Sequence, residues 1–205
     1  VGSNIPGLRL ITPKAAVPYL DEQGLGKWSF SAAWMDVSGQ LWLGTSSGQI
    51  VLVSRNEVRK IIEPDFLRGS SINAFFAESG GTVWIATDRG ILTLSGDAVS
   101  SFSEADGLPS NVVSSLCRDR EGNVWVGTER GGLVKFSQGK FMNISRVDGL
   151  VSDAVNGVTE DKWRSLWIAT DEGVSFFPSS TDPYHSDPSR RRAVDDLVKS
   201  LKGIR

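Results

Sequence analysis

Hydrophobic and polar residues alternate along most of this chain in runs of about four to seven, bounded by Gly, Asp, Asn, Ser or Pro, a pattern that predicts half-buried β-strands. The alternation recurs as a unit. Four phrases of tryptophan, aliphatic residue, small residue and threonine, Trp42-Leu43-Gly44-Thr45, Trp84-Ile85-Ala86-Thr87, Trp125-Val126-Gly127-Thr128 and Trp167-Ile168-Ala169-Thr170, stand 42, 41 and 42 residues apart. A glycine closes each, at Gly48, Gly90, Gly131 and Gly173. The third unit reads most clearly: strands over 112–118, 124–128, 133–136 and 141–144, with the turn Asp119-Arg120-Glu121-Gly122-Asn123 between the first two. In that turn aspartate caps backbone amides and glycine takes positive φ. Four short strands in a period near forty residues make one blade of a β-propeller, so the expected fold is all-β, with about four four-stranded blades over residues 5–178.

The two ends carry incomplete units. Gly7 to Ile11 and Val17 to Leu20 match a third and fourth strand, whereas Val155 to Asp161, Leu166 to Thr170 and Val174 to Phe177 match a first, second and third. Two arrangements stay open: four-bladed closure in which the ends share a blade, or a partial arc completed by further sequence or a second copy. The chain starts without methionine and partway through a unit, as a processed form or an excised piece would. Ten residues before each tryptophan sits a small side chain, Ala32, Ala74, Ser115 or Gly157, where inner strands converge and a larger one would overpack. The tryptophans are read as packing between blades, each covering on the order of 200 Å². After Pro178 the pattern ends. Residues 179–205 read as a Pro- and Ser-rich linker and a short amphipathic helix, Val194, Leu197, Val198 and Leu201 on one face. Six basic against two acidic residues give that helix a net +4, suited to a membrane surface or partner, or to packing on the propeller.

Composition narrows the function. Twenty-two basic and 24 acidic residues leave a net of −2, which removes the electrostatic footprint of a nucleic-acid binder. The single cysteine, Cys117, forms no internal disulfide, and no Cys/His cluster has metal-ligand spacing. No apolar run approaches the roughly twenty residues that span a bilayer, so membrane contact is expected only through a parent protein or the tail. His185, the only histidine, lies in the linker, and no serine triad or histidine metal site is assembled in the repeats. No catalytic residue, metal or cofactor is expected. Acid–base work by paired carboxylates such as Asp106 and Glu129, as in a propeller lyase or hydrolase, ranks behind recognition.

The run from Arg118 to Phe136, Arg-Asp-Arg-Glu-Gly-Asn-Val-Trp-Val-Gly-Thr-Glu-Arg-Gly-Gly-Leu-Val-Lys-Phe, with Asp106-Gly107-Leu108-Pro109-Ser110-Asn111 upstream, resembles the two-component regulator propeller repeat. The resemblance recurs through residues 5 to 178 with decreasing clarity, and the Gly-His and Trp-Asp pairs of a WD repeat are absent. It implies a module from the extracytoplasmic sensor region of a bacterial hybrid histidine kinase or related receptor, with a carbohydrate or other small polar ligand as the input. Kinase or diguanylate cyclase activity would belong to a parent protein. Full sensors of that kind carry many more repeats.

In a propeller, recognition gathers where loops converge on one axial face. The loops after the threonines present Thr45-Ser46-Ser47, Asp88 with Arg89, Glu129 with Arg130, and Asp171 with Glu172; the blade linkers add Asp106, Asn111, Asp148 and Asp153. Such a set suits hydrogen bonding to a polar ligand, the arginines offering planar forks, or it is ordinary turn chemistry with inter-blade ion pairs. One unit departs from the others. Arg164 replaces the glycine found at Gly39, Gly81 and Gly122, beside Trp163, and this turn is the candidate partner contact unless the indole folds back onto its own blade. The rival functional reading is a protein-interaction scaffold that self-associates through its incomplete blades.

Overall fold

The computed structural model describes residues 7–78, 80–137 and 139–179. The expected linker and basic helix of the tail lie, apart from Ser179, outside the described residues. Seventeen strands follow in order: β1 (Leu8–Ile11), β2 (Ala16–Tyr19), β3 (Phe30–Met35), β4 (Leu41–Thr45), β5 (Ile50–Ser54), β6 (Glu57–Ile62), β7 (Ile72–Ala77), β8 (Val83–Thr87), β9 (Gly90–Ser95), β10 (Ala98–Phe102), β11 (Val113–Arg118), β12 (Val124–Thr128), β13 (Leu133–Ser137), β14 (Lys140–Ile144), β15 (Val155–Glu160), β16 (Leu166–Thr170) and β17 (Gly173–Phe177). They form five sheets: β1-β2, three four-stranded meanders β3 to β6, β7 to β10 and β11 to β14, and the three-stranded β15 to β17. The third unit's four strands match expectation to within a residue at each end.

By compactness the chain divides into two units, one of Val1–Asp88 with Leu92–Ser100, the other of Arg89–Ile91 with Ser101–Arg205. In the first, β3-β6 and β7-β10 pack through Ile50, Leu67, Ile72, Phe75, Val83 and Ile85, with the Trp42 ring 6.1 Å from Phe75 of the next sheet. In the second, Trp125 packs with Leu133, Leu150, Val155 and Ile168, again reaching the following sheet. Trp42 and Trp125 therefore pack between blades, as their period suggests.

Close approach explains the small residues. Each first strand carries a register shift just before its small residue, which then faces the small residue of the tryptophan phrase: Ala32 opposite Gly44, Ala74 opposite Ala86, Ser115 opposite Gly127 and Gly157 opposite Ala169. A Cβ on Gly44 would lie 2.7 Å from Cβ of Ile72, and one on Gly127 would lie 2.7 Å from Cγ1 of Val155, both at the head of the next blade's first strand. A hydroxyl ties the same places: Ser31 Oγ donates to the Ile72 carbonyl at 2.7 Å, and Ser114 Oγ donates to that of Val155.

Two further features concern the glycines and the linkers. In the third unit Gly132, next to the closing Gly131, takes positive φ (+79), and a Cβ there would meet the Ile144 carbonyl as one on Gly48 (φ +96) would meet that of Leu67. The blade linkers are short 3-10 turns that drive one leucine each into the core, Leu25, Leu67, Leu108 and Leu150, all at most 4% exposed. The Leu67 member, from Asp65–Leu67, carries no Asp-Gly-Leu signal.

Candidate functional site

The threonines that introduce the candidate loops are buried fasteners. Thr45, Thr87 and Thr128 are at most 1% exposed and Thr170 is 9% exposed. Thr128 Oγ1 donates to the Gly132 carbonyl at 2.8 Å and accepts from Gly131 N–H at 2.9 Å, and Thr170 Oγ1 donates to the Gly173 carbonyl at 2.7 Å. Thr45 Oγ1 and Ser47 Oγ each donate to Gln49 Oε1 at 2.6 Å. The residue after each threonine donates its N–H back to the start of the first strand: Ser46 to Ser29, Asp88 to Ser71, Glu129 to Val112 and Asp171 to Ala154. In each of these blades, the loop between the second and third strands therefore lies at the end where the linker arrives.

Several candidate residues are committed to internal bonds there. In the first unit, Asp88 accepts from the buried Ser70 hydroxyl. In the second unit, Asp106 closes a capping box, accepting from Ser103 N–H at 2.9 Å and Ser103 Oγ at 3.0 Å, and Asp148 repeats it with Ser145. Asn111 Oδ1 accepts from Glu104 N–H at 2.8 Å while Asn111 N–H donates to Glu104 Oε1 at 3.1 Å. Asp153 occupies the matching place, accepting from Arg146 N–H at 2.7 Å. Asp171 accepts from Asn156 Nδ2 at 2.6 Å, and Glu172 pairs with Arg146 at 2.6 Å, both partners about half exposed. Arg89 is exposed. Glu129 and Arg130 are exposed at the β12-β13 turn, with no side-chain partner among the described residues. The structure thus gathers Asp153, Arg146, Asp171 and Glu172 around one linker, and leaves Glu129 and Arg130 open to solvent.

At the other end of the sheets the turns between first and second strands share one design. The first residue's carboxylate accepts from the indole N–H six positions later: Asp36 from Trp42 at 3.1 Å, Glu78 from Trp84 at 3.0 Å, Asp119 from Trp125 at 2.8 Å and Asp161 from Trp167 at 3.0 Å. The fourth turn residue, Gly39, Gly81, Gly122 or Arg164, donates its N–H to the first residue's carbonyl in the left-handed conformation, with φ +80, +85, +91 and +70. Arg164 therefore occupies a glycine position, as its sequence place predicts. Trp163 beside it is half-buried, with the Lys162 ammonium 4.3 Å from its ring centre.

These bonds set the acidity of two turn carboxylates. The Ser38 hydroxyl, with the Gln40 N–H and the Trp42 indole, outweighs burial and holds Asp36 below its ordinary value. Burial pushes Asp119 up, but the Asn123 side chain, the Trp125 indole and backbone N–H groups outweigh it and leave Asp119 lowered. Burial pushes the Cys117 thiol up, away from a reactive thiolate.

Between two of these turns the second unit holds a cavity of about 220 Å³, with Glu160, Arg164, Lys135, Asp119, Trp125 and Phe177 in its walls. Sequence reasoning pointed to Arg164 alone. Lys135 and Phe177 come from β13 and β17, and no local pattern marks them as neighbours of the turn.

Residues 107–130 match the family described as two component regulator propeller. Among curated proteins none matches the chain. Solved structures similar to it include the extracellular domain of what is described as a hybrid two component system from B. thetaiotaomicron, with TM-score 0.75 and 24% identity, over 89% of this chain and 25% of that one. Virginiamycin B lyase from Staphylococcus aureus is similar with TM-score 0.63 and 12% identity, over 85% of this chain and 60% of that one. The WD40 beta propeller domain of Doa1 follows with TM-score 0.59 and 14% identity, over 79% and 52%. This chain spans a quarter of the length of the first of these and less than two thirds of the other two. At such identities the likeness is one of fold. No helix among the described residues is long and apolar enough to cross a membrane. The chain is a β-propeller of antiparallel sheets whose third repeat, over residues 107–130, matches the two component regulator propeller.

Proposed function

We propose that this chain is a non-catalytic recognition module from the extracytoplasmic sensor region of a bacterial signalling receptor, binding a carbohydrate or other small polar ligand. The observation that carries this reading is the match over residues 107–130, which ends on Glu129 and Arg130. Those two side chains are exposed, of opposite charge and without a partner among the described residues, so they offer an acceptor and a planar donor fork at one loop. The hydrogen-bonded caps at Asp106, Asn111 and Asp148 support it from below by holding the adjacent linkers rigid.

A thermal-shift screen with neutral and acidic sugars and small carboxylates tests it. A ligand that raises the melting temperature of the wild-type protein, but not of Glu129→Ala or Arg130→Ala, is expected. Absence of any response across the panel counts against recognition, and a response that survives both substitutions moves it away from this loop.

A second reading, a self-associating scaffold, draws on one observation: β15 to β17 form a three-stranded sheet where the neighbouring meanders have four. The outer edge of β17 pairs with no strand among the described residues, and such an edge accepts a further strand. A discrete multimer in light scattering is expected of that reading; a monomer at all concentrations opposes it.

A further inference from the structure

We propose that the cavity between the β11-β12 and β15-β16 turns binds a free amino acid, holding its ammonium at Glu160 and its carboxylate at Arg164 and Lys135. This site lies at the opposite ends of the strands from Glu129 and Arg130, and does not rest on the recognition reading given to that loop.

Glu160 is the starting point. Its side chain is only 8% exposed, yet its contacts are long: Arg120 N–H reaches its two oxygens at 3.3 and 3.2 Å, and Arg120 Nε stands 3.8 Å away. Buried carboxylates are normally held by short charge-assisted bonds of about 2.7–2.9 Å, so this one has acceptor capacity left, and it lines the cavity. Asp119 differs. Its oxygens already take the Trp125 indole at 2.8 Å and the Asn123 amide and N–H at 2.7 and 2.8 Å.

Two cations line the same cavity. Arg164 reaches the cavity from a left-handed backbone, φ +70, where the equivalent turns use glycine. A β-carbon in that conformation costs stability, and a cost retained at a cavity rim is accounted for by what the guanidinium does there. Lys135 stands on the same cavity with its ammonium 5.5 Å from the Trp125 ring centre. The lining thus combines a carboxylate with acceptor capacity left, Glu160, with two cations, beside the carboxylates of Asp119 and Glu121 and the rings of Trp125 and Phe177. At about 220 Å³ the space falls below the 300–1,000 Å³ of sites for drug-sized ligands and suits a small molecule. A small zwitterion engages both kinds of group at once; an amine or a carboxylate alone engages one.

Titration calorimetry on the full chain with glycine, alanine and leucine, and with acetate and ethylamine as half-ligands, tests this. At least one amino acid is expected to bind below about 10 mM, with neither half-ligand measurable in that range. Glu160→Gln is expected to abolish binding. Arg164→Gly is expected to weaken it at least about tenfold while raising the melting temperature, because glycine suits the backbone there; loss of binding in that variant is then not loss of fold. Glu129→Ala is expected to leave it unchanged, which keeps this outcome separate from that of the loop. No binding by any of the three amino acids overturns the proposal, as does equal binding of acetate alone or full affinity in Arg164→Gly.

Discussion

At the scale of single residues the fold is held by a bond that recurs with the tryptophans: an indole N–H donated to a carboxylate six positions earlier. The indole ring packs in the core while its one polar atom reaches the turn, so burial leaves no donor unmet. At Asp119 the carboxylate also fastens Asn123, which is 8% exposed, through its amide and N–H. Asp119→Ala is therefore expected to cost about 2 kcal/mol, and Trp125→Phe, which deletes the N–H and keeps most of the ring, about 1 kcal/mol beyond any packing loss. The pair should couple in a double-mutant cycle measured by urea denaturation; additive costs would show that the indole bond contributes nothing. Arg164 runs the other way. With φ +70 in a turn that three times uses glycine, Arg164→Gly should gain about 1 kcal/mol, and a loss would mean that the side chain holds the turn.

At the scale of elements, blades meet through absent side chains. Gly44 leaves room for Ile72, and Gly127 for Val155, so the next blade's first strand seats directly over the second strand of the one before. Gly44→Ala and Gly127→Ala should each cost about 2 kcal/mol, since backbone and neighbour must both shift. Gly39→Ala supplies the comparison, because its φ is +80 but nothing lies within 4 Å of an added Cβ, leaving backbone strain of about 1 kcal/mol alone. If the Gly39 change proved the costlier, close approach would not be what these glycines serve. The strands themselves were legible, because period two and the turn residues act locally, and so were the small residues and the glycine position held by Arg164. The Trp-to-carboxylate spacing and the Ser103 to Asp106 capping box were equally present in the sequence, but only geometry separates them from solvated acidic loops. That difference recast the candidate site: Asp106, Asn111 and Asp171 carry internal bonds, and Glu129 and Arg130 remain open. Lys135, on one sheet, and Glu160 and Phe177, on the next, meet at a cavity through packing between sheets, which no local pattern encodes.

At the scale of the whole molecule two aspartates among the described residues are held below the ordinary value of 3.8, Asp36 in the first compact unit and Asp119 in the second. A depressed folded value means that the unfolded chain takes up the proton first. The stability each carboxylate contributes is thus fully present above about pH 4 and is lost as pH falls through the lower folded value. Both units should share this acid limb, because in each a turn carboxylate accepts side-chain and backbone hydrogen bonds that favour its charged form. Asp36→Asn and Asp119→Asn ought to lower stability at neutral pH, where the charged acceptor is missing, and to flatten the decline below about pH 4. Combining them should flatten it further, since the two turns lie in different units and share no partner. Urea midpoints measured from pH 7 down to about pH 3 would decide the matter. Curves for wild type and the double variant that stay parallel through the acid range would place the titrating groups elsewhere in the chain, and would leave the indole-bonded carboxylates as fasteners whose charge has no part in folding.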